Sequence, residues 1–203
     1  MLTLAAFIAM GLYLAIAVHE AAHAFAARRL SFHVKVVTIG WGPRCFSWHD
    51  KAGTVWDVRA LPFGGNCQFI TAGDSRSADG LASFENQTIK MSAVFLAGPV
   101  ASLAFGLLVL WAGHTLAVYQ GWGLHSHDSA MIWSLAWFTL AVGIINLLPI
   151  PPFDGGHALL LVIEHFRGAG FGQNAEKALI GYGLGIFAAT SAVALTIAAH
   201  RIS

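Results

Sequence analysis

The chain has 203 residues, 57% of them hydrophobic and only 10% charged, with a formal net charge of +1 and a mean hydropathy of +0.67. Soluble domains carry about 25% charged residues, so this composition excludes an ordinary soluble fold and places the chain in a bilayer. The net charge itself says nothing about nucleic acid, but no basic aromatic surface appears, so no nucleic-acid partner is expected.

The first apolar segment runs from about residue 2 to residue 27. It lacks a basic start and a small-residue cleavage site, so it is expected to be a retained span and not a signal peptide. A β-rich segment follows at about 33–70, where "HVKVVTIG", "RCFSWHD", "TVWDVRAL" and "NCQFI" alternate with Gly and Pro turn signals. These four pieces predict a small antiparallel sheet between the first and second helices. Residues 73–88 are polar and read as a surface connection. Further spans are expected at about 91–118, at 131–166 with a break at 149–156, and at 178–199. The expected fold is therefore a mainly α membrane protein. It is a four-transmembrane-helix bundle carrying a small cytosolic, membrane-associated antiparallel β-sheet.

Eight of the eleven Lys and Arg residues lie between Arg28 and Lys90, and none lies in the 119–130 loop. The positive-inside rule then puts the N-terminus outside and the 28–90 segment in the cytosol. Cys45 and Cys67 fall on that side and fit no zinc spacing, which predicts reduced, ordinary residues. Trp111, Trp122 and Trp133 lie near the outer ends of their spans, as an interfacial belt does. His125 and His127 in the outer loop read as solvated residues. Glu164 can reach the interface or pair with Arg167. Gly181, Gly183 and Gly185 in the last span permit close helix packing.

The chemistry concentrates at two places. In "VHEAAHAF", His19 and His23 are four apart, so on a helix they share a face and can grip one ion. Glu20 follows the first ligand and can act as general base on a zinc-activated water. Charged groups in a membrane helix cost roughly 2.5 kcal/mol or more on insertion scales, so they persist where a partner or a function holds them. A third ligand is needed, and Asp154 in "NLLPIPPFDGGH" is the clearest candidate. Three prolines break the span just before it, which the bilayer tolerates only where protein or a wet cavity covers the break. Asp154 also suits a helix N-cap, and one carboxylate can serve both roles. Asn146 can hold substrate, stabilise an oxyanion or form an interhelical hydrogen bond. His157 can support the site from behind, but is not expected to be a fourth ligand.

"HEAAH" followed by "NLLPIPPFDGG" resembles the site-2 protease family of intramembrane zinc metalloproteases. "TIGWGP", "LPFGGNCQF" and "LAGPVAS" extend the resemblance in family order from residue 19 to about 168. The resemblance implies zinc as cofactor, with His19, His23 and Asp154 as ligands, Glu20 as catalytic residue and Asn146 in substrate handling. It also implies that the strand around Gly64 and Gly65 pairs with an extended substrate. Implied substrates are single-pass membrane proteins, such as anti-sigma factors, or remnant signal peptides, cut in a bacterial inner membrane. Unlike the branch that regulates sigma-E, this sequence has no room for PDZ domains in its dozen-residue outer loop, and no nucleotide-binding module is expected. Two other classes compete. One is an ion or solute transporter using intramembrane carboxylates, and the other is a non-catalytic membrane scaffold.

Overall fold

The computed structural model describes residues 2–70, 80–121 and 127–202. The element order is α1 (Leu2–Arg29), β1 (His33–His49), β2 (Val55–Ile70), α2 (Gly80–Gln120), α3 (His127–Asn146), α4 (Asp154–Arg167) and α5 (Gln173–Ile202). Among the described residues, two helices are long and apolar enough to cross a membrane, through Ala9–Arg29 and Gln87–Gln120; Ala130–Asn146 of α3 is a shorter apolar stretch. Two of the four expected spans thus meet that test. The expected third span is two helices, α3 and α4, because the proline run at 149–152 interrupts the backbone hydrogen bonds. The 14 residues of α4 extend about 21 Å, short of the roughly 30 Å hydrocarbon layer.

α1 ends in a tight reversal. Phe32 N–H bonds to Ala27 O at 2.8 Å and Ser31 N–H to Arg28 O at 3.2 Å. Ser31 takes the left-handed conformation usually left to glycine, with φ 68°. Arg28 and Arg29 sit in the last turn, where positive charge suits the helix dipole. The reversal lays β1 against the end of α1. A buried core of Ala24, Ala27, Val34, Val37, Met91 and Val94 then joins α1, the sheet and α2.

β1 and β2 form one antiparallel pair, but the four expected pieces are joined in twos. β1 runs on through "GWGP", with Gly40 and Gly42 at φ 90° and 87°, and β2 runs on through Gly64 at φ 64°. These glycines bend the strands instead of ending them. A Cβ on Gly40 would stand 2.5 Å from Leu61 O, so no larger residue fits the bend. The register follows from the bends. Residues 44–49 pair with 55–59, and 33–39 pair with 65–70. A further set of partners, Val36–Val55 to Ile39–Val58, brings the start of β2 against the other side of β1. β2 therefore wraps round the first half of β1, and residues 65–70 keep one side free of pairing among the described residues.

The turn between the strands is clasped to α1. Asp50 Oδ1 accepts the Ala52 and Thr54 amides at 2.9 and 3.1 Å. Asp50 Oδ2 accepts Trp56 Nε1 at 2.9 Å and pairs with Arg28. Partial burial pushes this carboxyl up, but the bonds from Trp56, Arg28, Thr54 and Ala52 outweigh it and hold it at about 2. Its folded value lies below the ordinary 3.8, so the clasp contributes fully above that value and is lost as pH falls towards about 2. The amide resonances of Ala52 and Thr54 should stay in their bonded positions from neutral pH down to about 4 and shift below it. In Asp50→Asn they should already be shifted at neutral pH.

α2 is 41 residues long, about 60 Å, and carries Pro99 inside it. Residues 80–88, expected to be a polar connection, belong to this helix; residues 73–79 lie outside the described residues. α2 and α3 approach through glycines: a Cβ at Gly106 would meet Leu140, at Gly113 Ile132, and at Gly143 Leu103 and Pro99 O. Close packing was expected in the last span instead. There, only Gly183 lies against a neighbour, the Pro151 carbonyl, while Gly181 and Gly185 have nothing within 4 Å of a built Cβ. Phe153 also packs edge-on against Phe187 of α5. The expected Glu164–Arg167 pair gives way to two other contacts. Glu164 accepts the Phe171 amide at 2.6 Å, and Arg167 stacks on Phe171 at 4.6 Å. Trp111 is exposed on α2 and Trp133 partly so on α3, as a belt requires. Trp122 and His125 lie outside the described residues, as does the side chain of His127.

Candidate metal centre

α1 presents His19, Glu20 and His23 toward α2 and the sheet. All three are buried, at 5, 6 and 4% exposure. Each imidazole is oriented through Nδ1. His19 Nδ1 is hydrogen-bonded to Ser102 Oγ at 2.9 Å, and His23 Nδ1 to the Val94 carbonyl at 2.8 Å. A carbonyl only accepts, so His23 carries its proton on Nδ1 and turns the Nε2 lone pair inward. The two Nε2 atoms are 3.2 Å apart.

Asp154 completes the cluster from α4. Its Oδ2 lies 3.0 Å from His19 Nε2 and 3.4 Å from His23 Nε2. Asp154 is the first residue of α4, and Phe153 holds the N-cap position without a side-chain cap bond. Of the two roles open to Asp154, its carboxylate takes the histidines and not its own helix. Two glycines bring it there. A Cβ on Gly155 would collide with the Leu147 carbonyl, and one on Gly156 with the Ile150–Pro151 backbone. The broken segment folds back across the first turn of α4 at those two points, and the Pro151–Pro152 peptide is cis.

The three ligand atoms of His19, His23 and Asp154 lie within 4.8 Å of one another, the one such group among the described residues. Two inward imidazole nitrogens and one carboxylate oxygen are a donor set that zinc accepts in a site with an open position. Ser102 and Val94 supply the outer hydrogen bonds that metal-binding histidines use.

The wall opposite the histidines is as closely fitted. A Cβ on Gly98 would stand 2.8 Å from His19 Nε2 and nearer still to His23 Nε2, and one on Gly65 would collide with the Glu20 carboxylate. Gly98 on α2 and Gly65 on β2 thus press their backbones directly against these groups. Two cavities flank them. One of about 320 Å³ is lined by His19, Glu20, Gly64, Gly65, Asn146 and Asp154. The other, of about 300 Å³, is bordered by Glu20, His23, Cys67, Phe95, Asp154 and His157. Asn146, Gly64 and Gly65 therefore share a cleft with the expected ligands. Asn146 Nδ2 donates to Val142 O at 3.0 Å, which leaves its second N–H and its carbonyl available.

His157 stands apart from the ligand cluster. Its Nδ1 donates to Phe153 O at 3.1 Å and its ring stacks on Phe95 at 5.1 Å. Cys45 is a free, exposed cysteine, because residues 41–49 of β1 turn away from the core. Cys67 is partly buried beside the cleft. Burial, and then the Glu20 charge, push its thiol up to about 12, which keeps it protonated at neutral pH.

Gly98 and Ser102 were not singled out as site residues. Their signal is a spacing of four on α2, in "LAGPVAS", matched to the spacing of four between His19 and His23 on α1. Two antiparallel helices put those pairs face to face.

The model of peptidase family M50 matches residues 7–122 and 113–190. The chain is 33% identical over 112 residues to Protease RseP of Yersinia pestis, covering 54% of this chain and 25% of that protein. It is 33% identical over 111 residues to the Regulator of sigma E protease of Salmonella typhi, covering 53% and 24%. It is 31% identical over 121 residues to Zinc metalloprotease Rip1 of Mycobacterium tuberculosis, covering 57% and 28%. The matched stretch spans about a quarter of each relative's length. With a family model that takes in both halves of the His–His–Asp cluster, the chain belongs to peptidase family M50, the site-2 protease family.

Proposed function

We propose that the chain is a zinc-dependent endopeptidase that cuts a peptide bond of a membrane-embedded substrate. The observation that carries this reading is the meeting of His19 Nε2, His23 Nε2 and Asp154 Oδ2 beside Glu20, in a cleft bordered by an unpaired strand edge.

His19, His23 and Asp154 would hold a zinc ion, which would supply Lewis acidity and ease deprotonation of a water near neutral pH. Glu20, next in sequence to His19 and facing Gly65, takes the proton of the attacking water. The new C–O bond forms as the water loses that proton, and Glu20 then returns it to the amine nitrogen as the C–N bond breaks. The free amide N–H of Asn146 is suited to the substrate carbonyl oxygen, where negative charge develops. Residues 65–70 hold the substrate backbone by strand addition, since a helical peptide bond is shielded by its own hydrogen bonds and must be unwound first. The substrate is a single-pass membrane protein or a signal-peptide remnant. The membrane is a bacterial inner membrane, and the distribution of Lys and Arg supports an orientation with the N-terminus outside and the cleft toward the cytosol.

Purified full-length chain in nanodiscs should carry about one zinc per chain and cut a model transmembrane peptide. Stripping the metal with a chelator should abolish cleavage, and zinc should restore it. Cleavage that persists in the metal-free chain overturns the reading, as does an active preparation with no metal.

A further inference from the structure

The strand that borders the cleft has a second face. Neighbouring residues on a strand point to opposite sides. Cys67 and Phe69 pack with Val37 and Phe95 on the side of the metal centre. Asn66 and Gln68 alternate with them. Together with Thr38, Trp41 and Arg59 they line a separate, polar cavity of about 350 Å³. Gly65 borders this cavity and both parts of the cleft.

Arg59 is the uncompensated charge of that cavity. Among the described residues no carboxylate lies within ion-pairing distance of it. Its Nε is buried and has no hydrogen-bond partner. One terminal nitrogen reaches only the Gly42 carbonyl, at 3.3 Å. Its backbone is fixed, because Arg59 O accepts Tyr13 Oη–H at 2.6 Å. Asp57 shares this face of the sheet. One of its oxygens is held by Arg44 at 2.9 Å, and the other is buried without a partner. Asp57 is thereby matched by Arg44, and Arg59 is left over. A guanidinium prefers a planar, two-oxygen acceptor.

We propose that this cavity binds the carboxylate of an Asp or Glu side chain on the substrate, and so selects an acidic residue next to the cut. This rests on the endopeptidase reading and deepens it. A substrate strand added at residues 65–70 places its side chains on the same faces as the residues opposite them. A substrate residue opposite Gln68 or Asn66 turns toward Arg59, while its neighbour turns into the cleft. The acidic residue stands within one or two positions of the scissile bond, because Gly65 adjoins both cavities.

The test uses the full chain in nanodiscs and transmembrane peptides that differ only by Glu or Gln, scanned along the positions flanking the cut. Two readouts are taken: kcat/KM for cleavage by the parent, and Kd for the uncut peptides on Glu20→Gln. One position should favour Glu over Gln by about tenfold in both readouts. Arg59→Ala should bring that ratio near one, Arg59→Lys should keep part of it, and Gln68→Glu should reverse it. Cleavage with no preference at any position, or a preference that survives Arg59→Ala, overturns the acidic subsite and leaves the endopeptidase standing. Preferential binding without cleavage overturns the endopeptidase and leaves the cavity standing. Neither binding nor cleavage overturns both.

Discussion

Glu20→Gln leaves the zinc content of the chain unchanged and lowers turnover of a model transmembrane peptide by at least about 10²-fold, the scale of a lost general base. Glutamine has nearly the shape of glutamate, so the tight fit between residue 20 and Gly65 survives the change. Glu20 makes no hydrogen bond to His19, His23 or Asp154, so the ligand cluster survives as well. The amide lacks the one property the step needs, a basic oxygen that accepts a proton and gives it back. Metal analysis and single-turnover cleavage on the same preparation separate the two roles. A variant that loses its zinc would make Glu20 a structural partner of the ions. A variant that cuts at the parent's rate would remove it from the chemistry.

Gly98→Ala should be equally damaging by a different route. The added methyl would overlap the ring nitrogens that face one another, since the built Cβ stands 2.8 Å from His19 Nε2 and closer to His23 Nε2. Both rings are pinned at Nδ1 by Ser102 and Val94, and those partners sit on the same helix as residue 98. The imidazoles can yield only by breaking these bonds. Metal affinity should fall by about 100-fold or more, at the upper end of what displaced outer hydrogen bonds cost, and cleavage should fall with it. Circular dichroism should stay helical, because alanine is the better helix former. Gly181→Ala is the control: its methyl meets open space, so zinc content and cleavage should match the parent. Parent-like zinc binding by Gly98→Ala would show that the centre is looser than its packing implies.

The parts of the site that could be read in the sequence are those fixed by local spacing. His19 and His23 share a face because α1 is a helix, and that follows from its composition. Asp154 was a candidate because the proline run makes its surroundings irregular. Its choice of partner could not be read, because it depends on how residues 147–153 fold back over Gly155 and Gly156. The sheet was legible as strand-forming pieces but not in its wrapping, since Gly40, Gly42 and Gly64 signal a turn and a bend equally well. Gly98 was hidden for a related reason. A glycine that matters for what it lacks leaves no mark on periodicity or charge.

The order in which the site is made has its own consequence. His19 leaves the ribosome 135 residues before Asp154, with Glu20 and His23 close behind it, and the segment that aims Asp154 comes immediately before that residue. Through most of its synthesis the chain holds two ligands and a base but cannot close the cluster. On the endopeptidase reading, a chain whose third candidate ligand arrives so late stays inactive until α4 brings Asp154 to His19 and His23.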